Sequence, residues 1–138
     1  MTERETESPG ERRLRVLIVD DETAIVGALD LVMRRAKIDA VITMSGDDAF
    51  RLVMEQEFDV LLLDLRLSDM SGLTLFNLVV SHKPQLGNRT IFMTGDITIE
   101  AEVAIASAGC ILIRKPFDIH DVTATVRRIA TSASIISL

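Results

Sequence analysis

Residues 58–64 read Phe-Asp-Val-Leu-Leu-Leu-Asp, a largely apolar run that ends in a carboxylate. A run of this length and composition predicts a strand covered on both faces, as strands in a parallel sheet are. Four further runs rich in Val, Ile and Leu occupy residues 14–19, 40–43, 90–93 and 111–113. With residues 58–63 as the third, they predict five short, mostly buried strands.

Helical patterns separate these runs. Apolar residues recur at helical spacing from Ile25 to Met33 and again from Ile119 to Ile129, and Ser45 with Asp48 resembles a helix-capping box. Alternating strands and helices predict a parallel sheet with right-handed crossovers and helices on both faces. The predicted fold class is therefore α/β, a (βα)5 sandwich of three layers.

The predicted fourth helix, residues 100–108, is rich in alanine, which offers little area for burial. Only Val103 and Ile105 are large enough to anchor it. We therefore expect a loosely held helix next to the end of the fourth strand.

A chain of 138 residues predicts one compact domain. Residues 1–13 hold four Glu, three Arg, one Pro and one Gly but only Met1 as a large apolar residue, which favours a mobile tail. We expect the domain at residues 14–131 and a short extension at 132–138. We therefore expect no output domain after it.

Composition excludes several classes of protein. A net charge of −6 provides no broad cationic field, so direct binding of nucleic acid is disfavoured. The longest uncharged stretch, residues 70–82, is too short and too polar to insert in a membrane, and the charged N-terminus lacks the apolar segment of a secretory signal. A lone cysteine, Cys110, excludes an internal disulfide. These features predict a cytoplasmic protein.

Polar side chains stand where the predicted strands end. In such a sheet the functional crevice lies beyond the carboxyl ends of the strands. If strands 1 and 3 are neighbours, as in the order 2-1-3-4-5, three carboxylates meet there, with a hydroxyl and an ammonium nearby. The residues at the strand ends are Asp20-Asp21-Glu22, Asp64, Thr94-Gly95 and Lys115-Pro116.

Three carboxylates in a partly desolvated crevice repel one another unless a cation neutralises them. Hard oxygen ligands suit Mg²⁺ or Mn²⁺, and Lys115 adds a positive charge that suits a phosphoryl group. Asp64 is the best candidate nucleophile because it directly follows a buried strand. Each motif alone is also compatible with an ordinary helix cap or turn.

Together the motifs resemble the receiver domain of bacterial two-component response regulators, over residues 14 to about 131. The matching residues are the pair Asp20-Asp21, Asp64 with Gly72 eight positions later, Thr94 followed by a small residue, and Lys115-Pro116-Phe117.

The resemblance implies a flavodoxin-like fold with strand order 2-1-3-4-5. It implies that Asp64 accepts a phosphoryl group from a sensor histidine kinase or a histidine phosphotransfer protein, and that Thr94 and Lys115 bind the phosphoryl oxygens. Asp21, Asp64 and the backbone carbonyl of Arg66 would ligate Mg²⁺, with Asp20 assisting. The Lys115–Pro116 peptide bond would be cis.

Three positions depart from the family pattern. Ser68 replaces a usual proline, which leaves the loop after strand 3 less constrained. Leu112 replaces a usual aromatic residue, so a switch that rotates an aromatic ring is not expected. Arg66 occupies a position that influences water access to the acyl phosphate.

The signal is therefore expected to leave through Thr94, the loop after it and helix 4. A surface formed by helix 4, strand 5 and helix 5 would bind an unknown downstream protein or a second copy of the chain. Ile135, Ile136 and Leu138 would extend that surface.

Other functions remain open. A phosphohydrolase with an aspartyl nucleophile would also use Asp64, but such enzymes carry an acid where Arg66 stands. An FMN-binding flavodoxin is disfavoured because Asp20-Asp21-Glu22 would repel the flavin phosphate. A receiver-like adaptor that is never phosphorylated is the third alternative. We expect no enzyme activity beyond Mg²⁺-dependent self-phosphorylation from small phosphodonors and self-dephosphorylation.

Overall fold

The computed structural model describes residues 12–136 of the chain, and the side chains of residues 12–131. Strands and helices alternate over this range. The strands are β1 (Arg15–Val19), β2 (Asp39–Thr43), β3 (Val60–Asp64), β4 (Thr90–Thr94) and β5 (Ile111–Arg114). The helices are α1 (Thr23–Arg35), α2 (Gly46–Glu55), α3 (Gly72–His82), α4 (Ile99–Ser107) and α5 (Ile119–Ile136), with a 3₁₀ turn at Pro84–Arg89.

The five strands form one parallel sheet in the order β2-β1-β3-β4-β5. This confirms the predicted fold class and strand order. β1 and β3 are neighbours in register, with Val19 opposite Leu63, so the residues that follow the two strands lie side by side. Thr94, at the end of β4, pairs with Arg114 of β5.

The sheet separates two apolar layers because successive side chains of a strand point to opposite faces. Leu17, Leu61 and Leu63 pack with α2 and α3 on one face. Val16 and Leu62 pack with α1 and α5 on the other. All five residues of β3 are buried, as expected for the central strand that carries Asp64.

The fourth helix buries fewer large apolar side chains than was predicted. Ile105 is its one buried large side chain, but Val103 is 59% exposed, so the prediction that Val103 anchors the helix was wrong. At helical spacing, positions 103 and 105 are about 200° apart around the axis, so one face cannot bury both. Ile99, in the first turn, is 77% exposed.

Both ends of the domain differ from the predicted boundaries. Arg12 and Arg13, assigned to the tail, form ion pairs with Asp59 and Asp39 and therefore belong to the ordered domain. The last helix continues to Ile136, five residues past the predicted domain end at 131. The expected mobility of residues 1–11, and the surface predicted at Ile135, Ile136 and Leu138, lie outside the described residues and side chains.

Between residues 12 and 136, no helix combines the length and the apolar character needed to cross a bilayer.

Asp59 binds Arg12 and Arg15 at the amino edge of the sheet. The Arg12 guanidinium donates two hydrogen bonds to its carboxylate, at 3.0 and 2.8 Å, and the Arg15 backbone N–H donates a third at 2.8 Å. Burial would raise the pKa of Asp59, but these bonds and the charges of Arg12 and Arg89 hold that pKa below its usual value.

We predict that Asp59→Asn lowers the free energy of unfolding by about 1–3 kcal/mol at pH 7. Because the pKa of Asp59 is lowered in the folded protein, its contribution is complete above about pH 4 and is lost as the pH falls through the folded-state value. Urea unfolding of both proteins at pH 7 and pH 3 should show a smaller difference at pH 3.

The control is Glu57→Gln, whose carboxylate pairs with Lys83 but is exposed. It should change the unfolding free energy by at most about 0.5 kcal/mol at either pH. An Asp59→Asn effect that is equal at both pH values would contradict the role given to the charged carboxylate.

Candidate functional site

The site lies at the carboxyl edge of the sheet and is built on two adjacent strands. Asp20 directly follows β1 and Asp64 is the last residue of β3, so the pairing of these strands brings both carboxylates together. Asp20 is fully buried and Asp64 is 4% exposed, whereas Asp21 faces solvent. One carboxylate oxygen from each of the three lies within 4.8 Å of the others. This all-oxygen donor set fits a hard divalent cation.

Lys115 places one ammonium among these acids. Its Nζ lies 2.9 Å from Asp20 Oδ2, 3.2 Å from Asp64 Oδ2 and 2.7 Å from Glu22 Oε1. The residue follows β5, and its backbone N–H donates to the Thr94 carbonyl at 2.8 Å, which fixes it to the end of β4. The Lys115–Pro116 bond is cis, as the family resemblance implied.

The charges at the site shift two pKa values. Burial raises the pKa of Asp64, and the neighbouring charge of Asp20 raises it further, while the Arg66 N–H and Lys115 act against the rise. Burial alone would lower the pKa of Lys115, but hydrogen bonds to Glu22 and Asp20 raise it above its ordinary value. Lys115 is therefore a permanent cation that faces more than one anion.

Thr94 is buried at the end of β4, and its hydroxyl is engaged within its own loop. The hydroxyl donates to the carbonyl of Asp96 at 2.8 Å and accepts from the Asp96 N–H at 3.3 Å. The Asp96 carboxylate pairs with the Arg66 guanidinium at 2.7 Å, while the Arg66 backbone N–H donates to Asp64 Oδ1 at 3.2 Å. The loops after β3 and β4 are thus joined across the site.

The loop after β3 runs very close to Asp64. A Cβ atom at Gly72 would lie 2.2 Å from the Asp64 carbonyl oxygen, so only glycine fits this position. The Gly72 N–H donates to the Leu65 carbonyl at 2.8 Å, which closes the loop. These contacts give a local physical reason for the spacing of eight residues between Asp64 and Gly72.

A cleft of about 350 Å³ opens above the carboxylates, and it brings most of the predicted site residues together. Asp21, Asp64, Arg66 and Thr94 line it, and Ser68 forms part of its wall. Asp20 and Lys115 lie against Asp64 beneath it. The predicted roles of these residues, including the Arg66 carbonyl as a metal ligand, remain predictions. The half-buried Leu112 pairs with Phe92 and packs against the core on the α2 and α3 face.

Sequence reasoning assigned no ligand or catalytic role to Glu22 and Asp96, which line the cleft, or to Asp69, which lies in the loop after β3. Glu22 forms an ion pair with Lys115, which Asp20 and Asp64 also contact. Asp96 links Thr94 to Arg66. Asp69 caps α2 by accepting from the Gly46 and Asp47 N–H groups, each at 2.9 Å. The sequence places Glu22 beside Asp20-Asp21 at a strand end, but nothing in it signals the contacts of Asp69 and Asp96 across loops.

Comparisons with known proteins agree on one family. The sequence-family model of the response regulator receiver domain matches residues 16–127. The DNA-binding transcriptional regulator NtrC of Proteus hauseri is 30% identical over 117 residues, which cover 84% of this chain and 24% of that protein. The probable transcriptional regulatory protein TcrX of Mycobacterium tuberculosis is 29% identical, covering 81% of this chain and 47% of its own length. The chain thus spans a quarter to a half of these curated relatives.

Solved structures agree on the fold. A putative response regulator from Chloroflexus aurantiacus is 28% identical with a TM-score of 0.77, covering 87% of this chain and 99% of that one. A CheY-like response regulator receiver domain protein from Methanospirillum hungatei, at 24% identity, has a TM-score of 0.83, with 89% and 98% covered.

We predict that Lys115→Met destabilises the protein by about 3 kcal/mol when divalent cations are absent, because it leaves two buried carboxylates without a counter-charge. Added Mg²⁺ should restore part of that loss by neutralising the same acids. Thermal unfolding in EDTA and in millimolar Mg²⁺ measures both effects.

Lys83→Met is the matched control, since the Lys83 ammonium contacts the Gln56 carbonyl and the exposed Glu57 and, among the side chains of residues 12–131, no buried acid. It should cost less than about 1 kcal/mol and show no dependence on Mg²⁺ beyond that of the wild type. Equal losses in the two variants, unaffected by Mg²⁺, would show that Lys115 does not neutralise the acidic cluster.

Proposed function

The chain belongs to the receiver domain family of response regulators, and we propose that Asp64 accepts a phosphoryl group from a phosphohistidine of a sensor histidine kinase or a histidine phosphotransfer protein. The observation that carries the proposal is the setting of Asp64. It ends a fully buried strand, and its two oxygens are held by Lys115 and by the Arg66 N–H. The nucleophile is thus oriented before a donor arrives.

The transfer forms one bond and breaks one. An Asp64 carboxylate oxygen attacks the phosphorus, the phosphorus–nitrogen bond of the donor breaks, and the departing imidazole keeps the electron pair. The product is an acyl phosphate on Asp64. Asp20, Asp21 and Asp64, with the Arg66 carbonyl, would hold Mg²⁺ or Mn²⁺, which supplies positive charge to the phosphoryl oxygens during transfer.

Phosphorylation adds anionic oxygens beside Lys115 and Thr94. Lys115 then exchanges part of its contact with Asp20 and Glu22 for a phosphoryl oxygen. The Thr94 hydroxyl exchanges its hydrogen bond to the Asp96 carbonyl for one to a second phosphoryl oxygen. Since Asp96 lies in the loop that leads to α4, this exchange shifts the loop and the helix, whose one buried large side chain is Ile105.

Output occurs by phosphorylation-dependent binding of another protein, or by passing the phosphoryl group on. The proposed contact surface is α4, β5 and α5, through which a second copy could also bind. The exposed Ile99 and Val103 support this assignment, because apolar side chains on a helix surface favour a protein partner. The net charge of −6 disfavours direct binding of nucleic acid. We propose that the protein acts in the cytoplasm.

Hydrolysis of a separate phosphoester substrate is the less favoured function. It needs an acid two residues after the nucleophile, but Arg66 stands there and pairs with Asp96. We propose that the activity of the domain is limited to Mg²⁺-dependent self-phosphorylation and self-dephosphorylation.

We predict that incubation with acetyl phosphate and Mg²⁺ adds one phosphoryl group to the wild-type protein, and that Asp64→Asn abolishes the adduct. The substitution keeps the side-chain shape and removes the nucleophilic charge. Intact mass spectrometry measures the adduct.

Asp59→Asn is the control, because it removes another buried aspartate at the opposite edge of the sheet, and it should be phosphorylated like the wild type. An Asp64→Asn protein that acquires the adduct at the wild-type rate would exclude Asp64. A wild-type protein that acquires none from acetyl phosphate or a phosphohistidine donor would favour the adaptor.

We predict that Asp21→Ala nearly abolishes Mg²⁺ binding and phosphorylation but leaves the fold intact. The carboxylate faces solvent, and no hydrogen bond or ion pair of its side chain is seen among residues 12–131, so the substitution removes a ligand and little else. Isothermal titration with Mg²⁺ and the melting temperature check the two parts.

The control is Asp121→Asn, an exposed acid in the first turn of α5. It should bind Mg²⁺ like the wild type. Undiminished Mg²⁺ affinity in Asp21→Ala would remove this residue from the proposed site.

A further inference from the structure

A second cavity lies away from the carboxylate cleft, in a groove of about 400 Å³ between α1 and α5. Its walls carry three basic side chains, Arg35, His120 and Arg127, and no carboxylate lines it among the described residues. This is unusual in a chain with a net charge of −6, whose acids outnumber its basic residues. The groove, called here the α1–α5 groove, is therefore a local cationic surface on an acidic protein.

Several hydrogen-bond donors in the groove have spare capacity. Arg35 has no ion-pair partner among the side chains of residues 12–131. Arg127 donates to the Ala36 carbonyl, which leaves further guanidinium N–H groups for an acceptor. The Thr123 hydroxyl lies beneath the surface without a hydrogen-bond partner in the described part of the chain. Such donors fit a ligand that presents carboxylates.

The chain itself contains a segment with that chemistry. Residues 1–11 carry Glu3, Glu5, Glu7 and Glu11 against one basic side chain, Arg4. Four carboxylates within nine residues complement the basic side chains of the groove in sign.

The segment joins the domain at the amino edge of the sheet. Arg12 is bound to Asp59, and the Leu14 carbonyl accepts from the Asp39 N–H at 2.9 Å. Asp39 lies three residues beyond Ala36, which lines the groove. An extended chain spans about 3.3–3.6 Å per residue, so residues 1–11 can reach on the order of 35 Å. The groove is therefore within reach.

We propose that the acidic N-terminal segment, residues 1–11, docks in the α1–α5 groove of the same molecule. Its glutamates accept from Arg35 and Arg127, and tethering makes the contact intramolecular, so weak individual ion pairs suffice to populate it. This inference goes beyond the proposed phosphorylation and does not depend on it.

A spin label on the segment tests the proposal in the full chain. The label is attached to Thr6→Cys in a Cys110→Ser background, and amide signals are compared with the label oxidised and reduced. A short tether gives a millimolar effective concentration, so docking should be well populated. We expect the oxidised label to reduce amide signals about twofold or more at Arg35, Ala36, Ala124 and Arg127. Leu78 and Ser81, near the same sheet edge on the opposite layer, should keep their signal.

Two variants separate docking from mere proximity to the tether. Replacing the four segment glutamates by Gln changes no residue between 12 and 136 and should relieve the signal loss. Arg35→Gln with Arg127→Gln should relieve it too, whereas Arg51→Gln with Arg114→Gln, which removes the same charge from other surfaces, should not. Raising NaCl from about 50 to about 500 mM should also relieve it, since the ion pairs are exposed.

Three results would overturn the proposal. One is no signal loss in the groove, and another is a loss that all of these variants retain. The third is an equal loss when labelled protein is mixed with unlabelled ¹⁵N protein, because the groove would then be occupied by the segment of a second copy.

Discussion

The site depends on one ammonium shared by acids from distant parts of the chain. Lys115 reaches Asp20 at 2.9 Å and Asp64 at 3.2 Å, and neither carboxylate has appreciable contact with water. Two adjacent buried carboxylates repel each other unless a cation lies between them. A single lysine does not neutralise Asp20, Asp64 and the exposed acids beside them. We propose that a divalent cation balances this excess negative charge and so allows an anionic phosphoryl group to approach.

The same arrangement connects the site to the surface. Lys115 and Thr94 are joined through the backbone, and the Thr94 hydroxyl contacts Asp96, which in turn pairs with Arg66. On the proposed account, a change at Asp64 reaches the loops after β3 and β4 without an aromatic switch at position 112. On this account α4 responds because Ile105 is its one buried large side chain, whereas β3 is buried on both faces.

The fold and the acidic cluster could be predicted because each follows from a local pattern. The apolar run before Asp64 predicts a buried strand. Because parallel strands bring their carboxyl ends to one edge, Asp20 and Lys115, which follow two other strands, are predicted to lie near Asp64. Contacts between loops could not be predicted in this way. The pairing of Arg66 with Asp96 and the capping of α2 by Asp69 depend on loop conformation, which no periodicity encodes. Val103 was misassigned because composition identifies an apolar residue but not the face on which it lies.

The central claim is that a phosphoryl group on Asp64 draws Lys115 and Thr94 toward itself and so changes α4. Amide hydrogen exchange with and without a beryllofluoride phosphoryl mimic and Mg²⁺ tests it most directly. The account predicts altered protection across residues 95–108 in the wild type and none in Asp64→Asn. Changes confined to α1 and α2, with residues 95–108 unaffected, would contradict it.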